Sequence, residues 1–485
     1  MTIQLKDQGL LKTQAYINGQ WVDSDKGETF AVINPATGEH LVDVTSVGAE
    51  ETSRAIAAAE EAMQSWKALS AKARSALLET WHDLMIEHQE DLAVIMTAEQ
   101  GKPLFESRGE VLYGASFVKW FAEEGKRVYG DVLPSPQADR RNIVIKQPIG
   151  VVAAITPWNF PNAMITRKVA PALAVGCAVV LKPAAETPLS ALALVELAER
   201  AGIPAGLFSV LPGMDAAAIG TEMTSNPVVK KVTFTGSTRV GKLLMKQCAD
   251  TVKRTSMELG GNAPVIVFDD ADLDSAVKGA LVSKYRNSGQ TCICANRILV
   301  QAGIYDAFVE KFSAEVKGFR VGNGMDAETT HGPVITEKAV ADIHEKVTSA
   351  IAEGATVVTG GQPREGSQFY EPTVLTNVTD QMRVFREEIF GPVAPVFKFE
   401  TEEEAIAMAN DTEYGLAAYA YTNDIGRIWR VSEGIDYGMV GINETIIGSE
   451  IIPFGGVKES GQGREGSHYG LDDYLEIKYI CMGGL

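Results

Sequence analysis

Cysteine is scarce in this sequence, which has five cysteines spread over 485 residues. A small, odd number of cysteines in so long a chain does not suggest a secreted protein braced by disulfides, and a reducing cytoplasm fits it best. Histidine is scarce as well, and the six histidines stand singly. Because a structural zinc site needs four ligands, the sequence predicts no metal.

Long apolar runs and basic runs are also missing. The uncharged stretch 169–181 is too short to span a bilayer, and residues 1–7 lack the apolar core of a signal peptide, so no membrane partner is expected. The 44 basic residues are outnumbered by 63 acidic ones, and the resulting net charge of −19 argues against nucleic acid as a partner. An anionic ligand would need locally placed cations or backbone N–H groups.

What the sequence does contain is an alternation of short apolar runs with segments of helical length. This alternation extends from about residue 150 to residue 300, with 189–201 as a typical helical segment, and it predicts a parallel, doubly wound sheet. A second α/β stretch runs from residue 304 to about 443. Residues 129–146 and 473–485 fit neither stretch, and we predict that they are strands used for oligomerisation.

One cysteine, Cys292, lies in the polar, glycine-containing loop 287–294, just before an apparent strand. A cysteine in such a loop is within reach of a substrate and is a candidate nucleophile. Most free cysteines are instead small, buried hydrophobic residues, so the position of Cys292 alone leaves both alternatives open.

Two polar side chains lie next to apolar segments of the predicted sheet. Glu258 lies between apolar neighbours before a Gly-Gly turn, where loss of water would raise its basicity, although a salt-bridged turn residue is the plainer alternative. Asn159 follows the run 151–155, and ligands bind at the carboxyl ends of such strands. Asn159 could donate a hydrogen bond to an oxyanion, or it could form an ordinary turn between two prolines.

Three further segments concern a nucleotide. Lys182 ends another apolar run, where a ribose or phosphate would be held, or it is simply exposed. The segment 234–242 resembles a P-loop, but Leu243 stands where a magnesium-binding Ser or Thr is needed, so we reject triphosphate hydrolysis. The segment 461–466 matches the dinucleotide fingerprint by letter, but it opens no βαβ unit and is also rejected.

Taken together, these segments resemble the aldehyde dehydrogenase superfamily, and the likeness runs from about residue 16 to residue 478. The motifs that carry it stand in the order of that family: Pro157-Trp158-Asn159-Phe160-Pro161, Lys182-Pro183, Phe234-Thr235-Gly236-Ser237, Glu258-Leu259-Gly260-Gly261, Gly289-Gln290-Thr291-Cys292, Glu388-Ile389-Phe390-Gly391-Pro392 and Pro453-Phe454-Gly455-Gly456.

The resemblance implies an α/β fold with three parts, a Rossmann-type coenzyme domain, an α/β catalytic domain and a small β arm for oligomerisation. The implied coenzyme domain comprises 1–125 and 147–257, and 450–469 returns to it. The catalytic domain is 258–449. The oligomerisation segments are 126–146 and 470–485, and they imply a homodimer or homotetramer.

The resemblance also assigns roles to residues. Cys292 would be the nucleophile, Asn159 with the Cys292 N–H the oxyanion hole, and Glu258 the general base, with Lys168 as a further catalytic residue. The cofactor, NADP or NAD, would be held by Thr156, Trp158, Lys182, Ala185, Gly236, Ser237, Glu258, Glu388 and Phe390.

Within the superfamily, the sequence is most similar to succinate-semialdehyde dehydrogenases. Arg167, Arg286 and Ser449 carry this likeness, and they would bind the carboxylate of a semialdehyde substrate, with a role in GABA degradation. Alternatives are glutarate semialdehyde, which is one methylene longer, a broader aldehyde dehydrogenase, and a non-enzymatic member of the same fold.

Two expectations concern regulation and cofactor choice. Many NAD-selective relatives carry Glu where this chain has Ala185, so NADP should be accepted at least as well as NAD, although the neighbouring Glu186 opposes this. Cys294 is a candidate redox partner of Cys292, in a strained and easily reduced disulfide, or it is a packed thiol without such a role.

Overall fold

The apolar runs of the sequence form the central strands of two large sheets. The structure is a computed structural model that describes residues 3–485. In chain order, the strands are β1 (Ala15–Ile17), β2 (Gln20–Val22), β3 (Thr29–Ile33), β4 (His40–Thr45), β5 (Asp131–Leu133), β6 (Arg141–Pro148), β7 (Val151–Ile155), β8 (Ala178–Lys182), β9 (Phe208–Val210), β10 (Val229–Thr235), β11 (Arg254–Glu258), β12 (Ala263–Val267), β13 (Ala295–Gln301), β14 (Thr356–Thr359), β15 (Thr373–Thr376), β16 (Val393–Phe399), β17 (Ala417–Tyr421), β18 (Met439–Ile442), β19 (Gly461–Gln462) and β20 (Leu475–Met482).

Helices cover and connect these sheets. In chain order, the α-helices are α1 (Ala49–Ala68), α2 (Ala71–Glu87), α3 (Gln89–Gln100), α4 (Leu104–Glu124), α5 (Ala163–Val175), α6 (Pro188–Arg200), α7 (Ala216–Ser225), α8 (Thr238–Cys248), α9 (Leu273–Tyr285), α10 (Tyr305–Val316), α11 (Glu337–Ala352), α12 (Arg383–Arg386), α13 (Glu402–Asn410) and α14 (Ile425–Gly434).

The helix predicted over 189–201 is confirmed as α6. It begins at Pro188, whose fixed φ angle and missing N–H suit the first turn of a helix. Beyond its end, Gly202 has a φ of 85°, which a residue with a side chain rarely adopts. The local signals for the start and the stop therefore lie where the helix has them.

The first sheet has eight strands in the order β19-β11-β10-β7-β8-β9-β1-β2, and its core from β11 to β9 is parallel. The register pairs Ile155 with Lys182, Phe234 with Ile155, and Thr235 with Glu258. The carboxyl ends of four neighbouring strands therefore meet at one edge of this sheet.

The second sheet has seven strands in the order β14-β15-β16-β13-β12-β17-β18, and only β14 runs antiparallel to its neighbour. The turn Gly260-Gly261 leads from β11 of the first sheet towards β12 of the second. A side chain at Gly261 would place its Cβ 2.3 Å from the carbonyl oxygen of Cys292, so the turn packs directly against the loop before β13.

A third sheet contains the antiparallel strands β20-β6-β5. Its strands come from the segments that the sequence predicts for oligomerisation, and β20 is exposed along most of its length. Large apolar side chains, Val132 and Ile477, are 78% and 72% exposed there. The use of this sheet in assembly, and the exact domain boundaries, stay predictions.

Within residues 3–485, no helix is long and apolar enough to cross a membrane.

Candidate active site

A cavity of about 300 Å³ lies between the two large sheets. It contains several of the predicted site residues from both sheets and from the loop before β13. The residues that line it are Tyr113, Pro157, Trp158, Asn159, Phe160, Met164, Arg167, Thr235, Gly236, Ser237, Leu259, Gly260, Arg286, Thr291, Cys292, Ile293, Glu388, Phe390, Gly448 and Phe454.

Asn159 reaches the cavity from the loop that follows β7. Its side chain is buried, and its amide nitrogen donates a hydrogen bond of 3.0 Å to the carbonyl oxygen of Gln290, two residues before Cys292. Its side-chain oxygen has no hydrogen-bond partner among the described residues. The structure therefore places the Asn159 side chain against the Cys292 loop.

The loop before Cys292 has an unusual backbone. Asn287, Ser288 and Gly289 all have a positive φ, of 51°, 56° and 76°. Such a run is costly for residues with side chains, and it persists where surrounding contacts hold it. The Gln290 side chain supplies part of that hold, because it donates to two backbone carbonyls and accepts from the N–H of Ile335.

The thiol of Cys292 is influenced by two carboxyl groups and two arginines. Its pKa is raised to about 12, mainly by burial and then by Glu258 and Glu388, while Arg167 and Arg286 act in the opposite direction. The thiolate, not the thiol, attacks a carbonyl. A nucleophilic role for Cys292 would therefore begin with the loss of its proton.

Glu258 ends β11 and is 3% exposed, although it is not among the residues that line the cavity. One of its carboxyl oxygens has no hydrogen-bond partner among the described residues. Burial raises its pKa well above the ordinary value, and the nearby Glu465 raises it further. A carboxyl group with a raised pKa is a stronger base than an ordinary glutamate.

Glu465 belongs to a buried cluster that sequence reasoning missed. Arg167 Nε lies 2.6 Å from one of its carboxylate oxygens, and Lys168 Nζ donates to the other. The two cations lie side by side on α5, which is buried throughout, and such charges need a counter-ion. The need of Arg167 and Lys168 for a counter-ion was the one signal that could have pointed to Glu465. The residue itself lies in the glycine motif 461–466, which was rejected as a dinucleotide site.

The predicted substrate residues divide into two groups. Arg167 and Arg286 line the cavity, and within residues 3–485 the Arg286 guanidinium makes no ion pair or hydrogen bond and lies over the ring of Phe160 at 5.2 Å. Ser449 is not a lining residue, and its hydroxyl donates to Glu450. Its neighbour Gly448 lines the cavity in its place.

Lys168 and Cys294 also lie away from the cavity wall. Lys168 contacts Glu465 and so reaches the site only through that carboxylate. The Cys294 thiol is buried and donates to the carbonyl oxygen of Lys284 at 3.2 Å. A disulfide with Cys292 would require Cys294 to leave that carbonyl, and it stays a prediction.

The predicted cofactor residues come from the carboxyl edge of the first sheet and from the segment before β16 of the second sheet. Trp158, Gly236, Ser237, Glu388 and Phe390 line the cavity, and the rings of Trp158 and Phe390 meet edge to face at 5.6 Å. The pKa of Glu388 is raised to about 7 by burial. The other predicted contacts, Thr156, Lys182 and Ala185, lie outside the cavity.

These residues have unused hydrogen-bonding capacity that fits a nicotinamide dinucleotide. The hydroxyls of Thr156 and Thr235 are buried without a hydrogen-bond partner among the described residues. Helix α8 begins after Ser237 without a side-chain cap, so its first N–H groups are free to face a phosphate. Lys182 Nζ donates only to the carbonyl of Pro183 within the described residues.

Fold and site together define a class of enzyme. The model of the Aldehyde dehydrogenase family matches residues 21–480. The chain belongs to the aldehyde dehydrogenase family and is an NAD(P)-dependent oxidoreductase. The α/β fold predicted from the sequence is thereby confirmed.

The most similar proteins among those compared are named for particular aldehyde substrates. The chain is 62% identical to a 3-sulfolactaldehyde dehydrogenase from Pseudomonas putida, over 100% of this chain and 99% of that protein. It is 60% identical to a glutarate-semialdehyde dehydrogenase from Pseudomonas aeruginosa, over 100% of both. It is 58% identical to the succinate-semialdehyde dehydrogenase [NADP(+)] GabD of Escherichia coli, over 99% of this chain and 100% of that protein.

A solved structure agrees closely with this one. The crystal structure of a succinate-semialdehyde dehydrogenase from Burkholderia pseudomallei superimposes with a TM-score of 0.98 at 58% identity, covering 99% of this chain and 100% of that chain. The family assignment therefore holds for the whole length of the chain.

Proposed function

We propose that this chain oxidises succinate semialdehyde to succinate with NADP or NAD, through a thioester on Cys292. The observation that carries the proposal is the pair of arginines in the cavity of Cys292. Arg286 is unpaired within the described residues, and Arg167 has a buried Nη2 without a hydrogen-bond partner. In a protein with a net charge of −19, such cations suit an aldehyde with an anionic group at its far end.

The chemistry follows from the groups around Cys292. The Cys292 thiol gives up its proton to solvent, and the sulfur adds to the aldehyde carbon, which turns the carbonyl oxygen into an alkoxide. Asn159 and the Cys292 N–H stabilise that alkoxide. When the alkoxide carbonyl re-forms, a hydride leaves the carbon, and the bound nicotinamide supplies the acceptor for it. Water deprotonated by Glu258 then cleaves the thioester, releasing the acid and restoring the thiol.

For the cofactor we expect NADP to be used at least as well as NAD. Ala185 brings no carboxylate towards a 2′-phosphate, and Lys182 offers a cation. A relative that is 58% identical carries NADP in its name. Ala185→Glu should move the ratio of kcat/KM towards NAD, measured with both cofactors. An unchanged ratio would remove Ala185 from cofactor selection.

Glutarate semialdehyde is the second candidate substrate, because a relative at 60% identity is named for it and one methylene is worth only about 1–3 kcal/mol of discrimination. The 62% identical relative is named for a sulfonated aldehyde. These three substrates share an anionic group remote from the aldehyde. The choice among them depends on the length and shape of the cavity rather than on its charge.

A steady-state panel tests the proposal. It compares kcat/KM for succinate semialdehyde, glutarate semialdehyde, 3-sulfolactaldehyde and neutral butanal, each with NADP and with NAD. We expect succinate semialdehyde to rank first and butanal last. Equal efficiency with butanal would contradict recognition of an anion, and a higher rank for another anionic aldehyde would reassign the substrate within the same class.

We also propose that the third sheet joins subunits in a homodimer or homotetramer. The exposed apolar side chains of β5 and β20 support this, since monomers rarely leave such a surface open. A cytoplasmic location and a role in GABA degradation stay predictions.

A further inference from the structure

One buried ion pair holds the backbone between Asn159 and Ala163 at both ends. Lys102 Nζ lies 2.5 Å from Glu110 Oε2 and donates a second hydrogen bond, of 2.7 Å, to the carbonyl oxygen of Asn159. The other carboxylate oxygen of Glu110 accepts hydrogen bonds from the N–H groups of Asn162 at 2.9 Å and Ala163 at 3.2 Å. The pair therefore fixes both ends of this short segment.

The segment joins two parts of the site. Asn159, at its start, faces the Cys292 loop, and α5, which begins at Ala163, carries Arg167. The first N–H groups of a helix have no partner within the helix, and α5 has no side-chain cap of its own. Glu110 supplies the missing acceptor from α4.

The carbonyl of Asn159 receives two donors. Besides Lys102, the side-chain nitrogen of Asn287 donates to it at 3.0 Å. Because a carbonyl oxygen has two lone pairs, both of its acceptor sites are filled. The Asn159 peptide cannot turn without breaking two buried hydrogen bonds, and this limits the direction in which its side chain points.

Stability does not explain why two charges are buried here. The side chains of Lys102 and Glu110 are each 1% exposed. Removing both charges from water costs about as much as their attraction returns, so an apolar pair of the same shape would serve the core as well. The Lys102 ammonium also lies 4.0 Å from the ring of the cavity residue Phe160. Besides Glu110, the ammonium therefore contacts two residues that line the cavity, Asn159 and Phe160.

We propose that Lys102 is a positioning residue for aldehyde oxidation and that, with Glu110, it fixes the Asn159 peptide so that the Asn159 amide meets the alkoxide on Cys292. The proposal rests on the proposed function, because it takes Asn159 as the oxyanion donor. Lys102 itself touches neither substrate nor sulfur in this arrangement. The proposal assigns its effect on the chemical step to Asn159, the residue whose carbonyl it holds.

A double-mutant cycle tests this dependence. The first turnover is followed as a burst of reduced cofactor in the wild-type enzyme, Lys102→Met, Asn159→Ala and the double variant. Asn159→Ala should slow the burst by about 100- to 1000-fold. Lys102→Met should slow it by about 10- to 100-fold in the wild type, the scale of a displaced catalytic group, and by less than about 2-fold in the Asn159→Ala background.

The outcomes separate the two proposals. Equal factors for Lys102→Met in both backgrounds would overturn the positioning role and leave the oxyanion role of Asn159 intact. An unchanged burst in Asn159→Ala would overturn that oxyanion role and the positioning role with it. If Lys102→Met does not fold, Glu110→Gln replaces it in the same cycle, because the amide oxygen can still accept from Asn162 and Ala163 while Lys102 loses its anion.

A matched control distinguishes positioning from general loss of packing. Arg74 is likewise a buried cation that donates to backbone carbonyls, those of Leu69 and Ala174, but it lies on α2 and does not line the cavity. Arg74→Met should lower thermal stability at least as much as Lys102→Met while the burst stays within about 2-fold of the wild type. A slowed burst in this control would show that buried charges act through stability alone and would overturn the proposal.

Discussion

Two buried ion clusters lie against the same cavity and differ in charge balance. In one, Lys102 faces Glu110, and both carboxylate oxygens accept hydrogen bonds. In the other, Arg167 and Lys168 share the single carboxylate of Glu465, and Arg167 Nη2 is left without a hydrogen-bond partner among the described residues.

We expect the two clusters to have different roles, because their charges are balanced differently. A cluster whose charges balance and whose polar groups are all hydrogen-bonded has no free group for a ligand. Its role is limited to holding the backbone in place. A cluster with a surplus cation and a free donor is incomplete until an anion arrives. This difference favours the balanced pair as a support for the Asn159 backbone, and the cations of the unbalanced cluster, together with Arg286, as candidates to bind an anionic group of the substrate.

The largest effect is expected at the carboxyl group that faces the unbalanced cluster. Glu258→Gln cannot take a proton, so hydrolysis of the thioester should slow by about 100- to 10,000-fold, and an acyl-enzyme should become visible by intact mass. Burial raises the pKa of Glu258, so the group is neutral at low pH and gains activity as pH rises through that pKa. The wild-type hydrolysis rate should thus rise with pH, whereas the variant should show a flat profile. Rapid hydrolysis in Glu258→Gln, without any trapped acyl-enzyme, would show that a residue other than Glu258 activates the water.

A stability measurement contrasts the two clusters directly. Glu465→Gln leaves two buried cations without an anion and should lower the free energy of unfolding by about 3–5 kcal/mol. The double variant Lys102→Met/Glu110→Gln removes both members of the balanced pair and should stay within about 2 kcal/mol of the wild type. Chemical unfolding at one protein concentration gives both values. A double variant that loses as much as Glu465→Gln would contradict the proposed difference.

The smallest effect concerns the reactivity of Cys292. Arg167 lowers the pKa of this thiol, so Arg167→Ala should raise that pKa and reduce the thiolate fraction at neutral pH. Alkylation by iodoacetamide should slow by up to about 10-fold, the change that one pKa unit produces. Arg74→Met, outside the cavity, is the control and should react at the wild-type rate. Equal alkylation rates in the wild type, Arg167→Ala and Arg74→Met would show that Arg167 does not lower the pKa of the Cys292 thiol.

Some parts of the site can be predicted from the sequence and others cannot. Asn159 and Lys182 follow apolar runs, and parallel strands bring the carboxyl ends of such runs to one edge, so their neighbourhood follows from a periodic pattern. Glu465 could not be found in this way. It lies 297 residues from Lys168, in a glycine-rich segment that opens no βαβ unit.

Lys102 and Glu110 show the same limit. In the sequence they look like ordinary charges, one before a proline and one in a helix with many acidic residues. Their burial arises because the loop after β7 and the Cys292 loop close over them, and Lys102 meets a carbonyl 57 residues away. Spacing within one element reports which side chains share a face, but it does not report which distant backbone group will need a donor.

The central claim is that the surplus cations recognise an anion at the far end of the substrate, and one comparison tests it most directly. Arg167→Ala and Arg286→Ala are each assayed for kcat/KM with succinate semialdehyde and with neutral butanal. Loss of a charged hydrogen bond predicts a decrease for succinate semialdehyde that exceeds any decrease for butanal by about 10- to 100-fold. If both substrates lose efficiency by the same factor, the arginines support the Cys292 loop instead, and the account of substrate recognition is contradicted.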